Sequence, residues 1–195
     1  MEEKNINPTE SLQIINSMIN TAKNKLADDG FLYIFWGWLV FIAALVNYVS
    51  VRLDSFYGYW VWPVLMPLGG VVSMIYGYRH SKKEKVKTYM DIYLGYSWAA
   101  FIIALFITIL FISVHGMKAT YFFLMILYGI ATLISGGLLN FKPLIIGSLF
   151  SFAFAVISVF AGENEQFLCI SGAVLFSYIV PGHLLQSKYK SQVNV

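Results

Sequence analysis

The amino-acid sequence predicts an all-α protein that crosses a membrane six times. Two observations carry this prediction. First, 58% of the 195 residues are hydrophobic, whereas soluble domains contain about 45–50% apolar residues. Second, the apolar residues occur in six long runs that contain no charged side chain. Because a helix needs about 20 predominantly apolar residues to cross the hydrocarbon core, each run is long enough for one transmembrane helix.

The six runs fix the order of the elements. We place the transmembrane helices at residues 31–50, 59–78, 92–114, 120–139, 143–161 and 167–185. Odd-numbered helices can be aligned as "WLVFIAAL", "WAAFIIAL" and "FSFAFAVI", and the even-numbered ones each end in a lysine. Such a repeat describes three helical hairpins within one bundle, residues 31–185; chance alignment of apolar segments is the alternative.

A separate amphipathic helix is predicted ahead of the bundle, in residues 1–30. Asn7 is a suitable N-cap, Pro8 suits the first helical position and Glu10 follows the cap by three residues. Apolar residues then recur at helical spacing and form one stripe. The stripe contains Leu12, Ile15, Met18, Ile19 and Leu26.

The N-terminal stripe is a candidate protein-binding surface. Helices that lie on membranes normally carry many Lys and Arg residues on the polar face, and this helix carries only Lys23 and Lys25. Four partners stay open for the stripe: the underside of its own bundle, a second copy, another protein, or the membrane surface. A nucleic-acid partner is not expected, because the helix has no basic face.

The distribution of positive charge predicts the orientation. If both termini are cytoplasmic, eleven of the thirteen Lys and Arg residues lie on the cytoplasmic side, in residues 1–30, 79–91, 140–142 and 186–195. Only Arg52 and Lys118 remain outside. Because Lys and Arg near span ends are retained in the cytoplasm, we expect a multi-pass inner-membrane protein with a cytoplasmic tail at 186–195.

The loop between the second and third helices holds the densest charge, in the stretch "RHSKKEKVK". Its first role is the orientation signal described above. The same residues are candidates for contact with anionic lipid headgroups or with an acidic partner, because each basic residue near an anionic leaflet contributes about 1 kcal/mol. The candidate residues are Arg79, Lys82, Lys83, Lys85 and Lys87.

Small residues predict where helices pack closely in the membrane. Gly70 and Gly77 share one face of the second helix, and Gly129 and Gly136 share one face of the fourth. This pattern favours a bundle whose tight centre is formed by the even-numbered helices; a homodimer face is the alternative. Pro181, near the inner end of the sixth helix, is expected to kink or end that helix.

Chemistry-bearing motifs are missing from the sequence. No Asp, Glu, His, Lys or Arg lies near the middle of any predicted span, although proton-coupled transporters and intramembrane hydrolases usually need one. There is no HExxH, GxSxG or glycine-rich phosphate loop. The single cysteine, Cys169, cannot form a CxxC pair. We therefore predict neither catalytic residues, nor a metal, nor a cofactor, and we do not expect an enzyme.

The chain resembles small six-helix proteins of bacterial inner membranes. The stretch "FWGWLVFIAAL" and the hairpin-like repetition are similar to the HdeD-like family of six-span proteins associated with acid resistance. This resemblance implies the six-helix fold and the inner membrane. It has no polar signature motif, so it assigns no functional residue, and it does not account for the N-terminal helix.

Two functions follow as expectations. The first is interaction: a membrane scaffold, sensor or accessory subunit that presents the N-terminal helix and the basic loop to the cytoplasm. The second is transport of a small solute or lipid through the Gly- and Ser-rich centre of the bundle.

Overall fold

The computed structural model describes Leu12 and residues 30–55, 58–81 and 89–193. Within these residues six helices are long and apolar enough to span a membrane, which confirms the predicted all-α, multi-pass architecture. The chain is helical at Gly30–Arg52 (α1), Gly58–Ser81 (α2), Tyr89–Leu138, Lys142–Phe160 (α5), and Glu165–Val174 followed by Leu175–Ile179 and Val180–Val193 (together α6). The segment Tyr89–Leu138 contains two spans, Ile92–Ile112 (α3) and Ala119–Leu138 (α4).

Gly116 separates α3 from α4. Its backbone has φ 77° and ψ 176°, whereas the residues on both sides are helical. This combination of angles is accessible essentially only to glycine, because a Cβ atom would clash with the neighbouring backbone. A single glycine therefore provides the break that lets the chain leave one span and enter the next.

The turn between α4 and α5 is equally short. Asn140 has φ 49°, a left-handed conformation that asparagine tolerates better than most residues. The N–H of Asn140 donates to the carbonyl of Gly137, and the N–H of Phe141 donates to the carbonyl of Gly136, at 3.1 and 2.9 Å. These bonds pair carbonyl groups that the helix end would otherwise leave open.

Helix α6 is irregular at its centre. Residues Leu175–Ile179 form a π-helical turn, in which the N–H of Val180 bonds to the carbonyl of Leu175. Pro181 follows directly, is buried, and has no N–H with which to continue the hydrogen-bond ladder. The helix nevertheless continues to Val193. The π turn therefore accommodates Pro181, and the proline does not end the helix.

Helices α1, α4, α5 and α6 form the centre of the bundle, while α2 and α3 lie at its periphery. Helix α2 packs on α1, and the indole Nε1 of Trp36 donates to Ser73 Oγ across that contact at 2.9 Å. The expectation that the even-numbered helices form the centre therefore differs from the structure. Lipid and protein interior are both apolar, so hydropathy alone does not separate peripheral helices from central ones.

The two ends of the bundle differ chemically. At one end, which we call the ion-pair end, Arg52 of α1 contacts Glu165 of α6 at 3.3 Å. Arg52 also lies 5.4 Å from the ring centroid of Tyr48. The other end, which we call the basic end, contains Gly30, Arg79, the α4–α5 turn and Lys188.

Candidate functional site

The structure divides the five residues predicted to pack at the bundle centre into two groups. Gly129, Gly136 and Pro181 lie at contacts between central helices. A Cβ atom on Gly129 would approach the Phe152 ring of α5 to 2.7 Å, and one on Gly136 would approach the backbone nitrogen of Ile145 to 2.9 Å. Gly70 and Gly77 lie outside this packing, because a Cβ atom added at either position would have no neighbouring atom within 4 Å.

Gly147, which the sequence reasoning did not single out, marks the closest approach between two helices. A Cβ atom there would lie 2.5 Å from the carbonyl oxygen of Phe176 and 3.0 Å from the Cα of Ser177. The backbone of α5 thus meets the backbone of α6 at the π turn. Only glycine allows this distance, so the irregular turn and Gly147 form one structural unit.

The buried serine and threonine hydroxyl groups mostly form hydrogen bonds within their own helices. Most of them donate to a carbonyl three or four residues earlier, an arrangement that satisfies the hydroxyl without a partner helix. These bonds run from Thr132 to Tyr128, Ser135 to Ala131, Ser148 to Ile145, Ser158 to Ala155, Ser171 to Phe167 and Ser177 to Ala173. The small polar residues therefore act as packing surfaces, and they do not form a polar path through the bundle.

Among the described residues, Ser151 and Gln166 bond through their buried side chains to the backbone of a neighbouring helix. Ser151 Oγ of α5 donates to the carbonyl of Met125 in α4 at 2.8 Å. Gln166 Nε2 of α6 donates to the carbonyl of Ser158 in α5 at 3.1 Å. Both bonds are buried, and interhelical bonds of this kind contribute about 0.6–2 kcal/mol in a membrane. They fasten α4, α5 and α6 to one another.

Five aromatic rings form a closed circuit toward the basic end. Consecutive ring centroids lie 5.4 to 6.1 Å apart, with tilted and edge-on orientations. The circuit runs through Tyr33 of α1, Trp98 and Phe101 of α3, Tyr128 of α4 and Tyr178 of α6. Because these spacings are those of favourable aromatic contacts, the circuit attaches the peripheral helix α3 to the centre.

Tyr178 is the candidate functional group within the circuit. It belongs to the π turn and is 4% exposed, and its hydroxyl has no hydrogen-bond partner among the described residues. The sequence analysis did not single out this residue. The available signal was position: Tyr128 and Tyr178 lie well inside their spans instead of at the headgroup level, where tyrosine is normally enriched.

The structure describes only some of the residues predicted to take part in interactions. Leu12, the one described member of the N-terminal stripe, is helical and 59% exposed. Ile15, Met18, Ile19 and Leu26 lie outside the described residues. Arg79 is exposed at the end of α2, and Lys82, Lys83, Lys85 and Lys87 also lie outside the described residues.

No group of three or more His, Cys, Asp or Glu residues that could hold a metal ion occurs in the described parts of the chain. Cys169 is a free, buried thiol in α6. The chemistry that the described residues offer is thus the aromatic circuit, the π turn and exposed basic side chains at one end.

These features define a polytopic α-helical membrane protein. Comparison with known proteins gives no match to any protein-family model, to any curated protein or to any solved structure. The packing and chemistry of the bundle itself are therefore the basis for assigning a function.

Proposed function

We propose that this protein acts by interaction, as a membrane scaffold, sensor or accessory subunit that presents residues 7–27 and the basic loop 79–91 to a partner. The proposal is supported chiefly by the closed packing of the central helices. At Gly147 two backbones approach so closely that even a methyl group would not fit, and buried serine hydroxyls such as those of Ser135, Ser151 and Ser177 are bonded to carbonyls of their own helix or its neighbour.

The finer architecture belongs to the same proposal. The N-terminal segment is an amphipathic helix, the spans form three hairpins, and both termini face the cytoplasm across an inner membrane. The excess of Lys and Arg on one side supports that orientation. The similarity to HdeD-like six-span proteins fits this placement, and the absence of catalytic motifs from the sequence supports a role other than that of an enzyme.

Mutation of the N-terminal stripe tests the proposal. We expect Ile15→Asp to abolish photocrosslinking from a probe at position 12 to a partner protein or a second copy, because a carboxylate removes apolar contact area and costs desolvation. Ser17→Asp introduces the same charge on the predicted polar face and should leave crosslinking unchanged. Crosslinking would be measured in membranes, with insertion checked by extraction at high pH.

Two outcomes would contradict the interaction proposal. One is crosslinking from position 12 that survives Ile15→Asp unchanged, since the stripe would then not be the contact surface. The other is equal loss in Ile15→Asp and Ser17→Asp, which would trace the effect to charge and not to the apolar face.

Transport of a small solute or lipid is the second candidate function, and Tyr178 is the observation that favours it. A buried hydroxyl without a partner costs about 1–3 kcal/mol, and such groups often mark an unseen water or guest. The π turn and Pro181 beside it resemble the broken helices that line transporter sites.

Tyr178→Phe tests whether the buried hydroxyl has a polar partner, as the transport function requires. If the hydroxyl is unsatisfied in a closed core, its removal should leave the free energy of unfolding unchanged or raise it by about 1 kcal/mol. If a polar guest binds there, the variant should lose stability by a similar amount. Unfolding would be followed by circular dichroism in mixed micelles, with Tyr96→Phe, at a site 73% exposed, as the control.

A further inference from the structure

Four helices contribute rings to the aromatic circuit described above. Its members are Tyr33 of α1, Trp98 and Phe101 of α3, Tyr128 of α4 and Tyr178 of α6. When five centroids at these separations are opened to a regular pentagon, the centre lies about 5 Å from each centroid, inside the distance of about 6 Å over which a ring attracts a cation. The circuit therefore has the dimensions of an aromatic cage, in which several rings surround one positive charge.

One polar group of the circuit is not used by the rest of the bundle. The ring of Tyr178 contacts the rings of Tyr33 and Tyr128, and the residue is 4% exposed. Its hydroxyl group makes no hydrogen bond with any described residue. Because a buried hydroxyl costs free energy unless it is bonded, Tyr178 indicates a guest that brings a hydrogen-bonding group to the rings.

Helix α3 forms the accessible side of the circuit. Trp98 and Phe101 are half-buried, whereas the three tyrosines are buried. None of the most apolar 18-residue stretch of α3 is buried, against 50% of the corresponding stretch of α4. Beyond these rings, α3 is joined to α4 through the non-helical backbone of Gly116. An outward displacement of α3 would therefore open the circuit without separating the tyrosines of α1, α4 and α6.

The chemistry of the rings selects the class of guest. Aromatic faces attract positive charge, and tryptophan and tyrosine do so more strongly than phenylalanine. A primary ammonium group would bring three N–H donors that each need an acceptor, whereas a quaternary ammonium group has no N–H. Arg52 and Lys188 lie over the rings of Tyr48 and Phe141, which are outside the circuit. A circuit of ring faces with one hydroxyl thus fits a quaternary ammonium group that carries an oxygen atom nearby.

We propose that the aromatic circuit binds a quaternary ammonium group, with its methyl groups against the rings and a short oxygen-bearing arm hydrogen-bonded to the hydroxyl of Tyr178. Choline is a simple compound of this class. Aromatic cages recognise quaternary ammonium ions in this way. The inference gives the transport alternative a class of guest, but it requires only binding. It involves neither residues 7–27 nor the basic loop, so its failure would leave the interaction proposal unaffected.

The test is isothermal titration calorimetry of the purified full chain in dodecyl maltoside, a detergent without an ammonium group. Choline should bind about tenfold more tightly than dimethylbutanol, the analogue with carbon in place of nitrogen, because only choline carries the charge. Tetramethylammonium keeps the charge but lacks the arm, and it should bind about fivefold more weakly than choline. Equal binding of choline and dimethylbutanol would overturn the proposal, as would no binding of choline at millimolar concentrations.

Variants of the circuit locate the binding site. Trp98→Leu should weaken choline binding about tenfold, because it removes the most attractive ring face. Tyr178→Phe should remove the advantage of choline over tetramethylammonium. Trp38→Leu is the matched control, since Trp38 is 42% exposed and its ring contacts Phe41, outside the circuit. Unchanged binding in Trp98→Leu, or equal loss in Trp98→Leu and Trp38→Leu, would contradict the proposed site.

Two further measurements complete the test. Circular dichroism checks the fold of each variant; if Trp98→Leu does not fold, Trp98→Phe keeps a ring in place and should retain most of the affinity, and its complete loss would count against the site. Phosphatidylcholine carries the same quaternary group as choline. Displacement of choline by a short-chain phosphatidylcholine would support the site with a lipid headgroup as its guest, and no displacement would support it with a free solute.

Discussion

Replacing Gly147 with valine is expected to lower the free energy of unfolding by about 3 kcal/mol or more, a loss that abolishes folding in a marginally stable protein. The added Cβ would lie 2.5 Å from the carbonyl oxygen of Phe176, and this atom belongs to the backbone of α6. A side chain could rotate away, but a helix backbone inside a packed bundle must move as a unit. The π turn next to the contact would be displaced with it.

The measurement is unfolding of the purified protein in mixed micelles of increasing SDS content, followed by circular dichroism. Gly70→Val is the matched control, since Gly70 also lies within a span but a Cβ atom added there would meet nothing within 4 Å. The control should unfold at the same SDS fraction as the native protein. Equal behaviour of the two variants would show that α5 and α6 do not approach each other as closely as described.

The adjacent pair Gly136 and Gly137 provides the second large expected effect. Gly136→Ala should cost about 1–3 kcal/mol, because its Cβ would lie 2.9 Å from both the backbone nitrogen and the Cγ1 atom of Ile145. Gly137→Ala, one residue later, meets nothing within 4 Å. It should cause no loss and should gain up to about 1 kcal/mol from helix propensity.

The same SDS titration measures both variants. The informative quantity is the sign of the difference between their free energies of unfolding. Both substitutions add one methyl group to neighbouring positions of α4, so effects of composition or insertion cancel between them. If the two variants were equally destabilised, helix flexibility would explain the result and close packing would not. If both were stabilised, α4 would not contact α5 at this level.

Two pairs of glycines show how much of the helix packing could be predicted from the sequence. Gly70 with Gly77, and Gly129 with Gly136, follow the same small-residue logic, and the sequence predicts the same role for both pairs. In the structure the second pair meets Phe152 and Ile145, while the first pair faces open space. The two pairs differ because side chains of α5 pack against the glycines of α4. The residues near each pair in the sequence do not indicate this contact.

The aromatic residues give a similar lesson. Trp36 lies near a span end, and its indole bonds to Ser73 of α2, a partner that the sequence does not indicate. Tyr128 and Tyr178 carry no motif in the sequence, although they join α4 and α6 through a contact with centroids 5.6 Å apart. A ring at the headgroup level and a ring in a buried contact have the same composition, and only the neighbouring helices distinguish them.

The sequence by itself determined that this chain crosses a membrane six times as an all-α protein. That conclusion depends on the length and apolarity of each run, which are local properties and must satisfy the same bilayer thickness in every span. The tertiary structure alone decided that α1, α4, α5 and α6 are central, that Gly147 meets Phe176, and that Lys188 of α6 reaches the ring of Phe141 before α5. These features depend on the shapes of residues distant in sequence, and in an apolar solvent shape complementarity, more than hydropathy, selects which helix faces pack together.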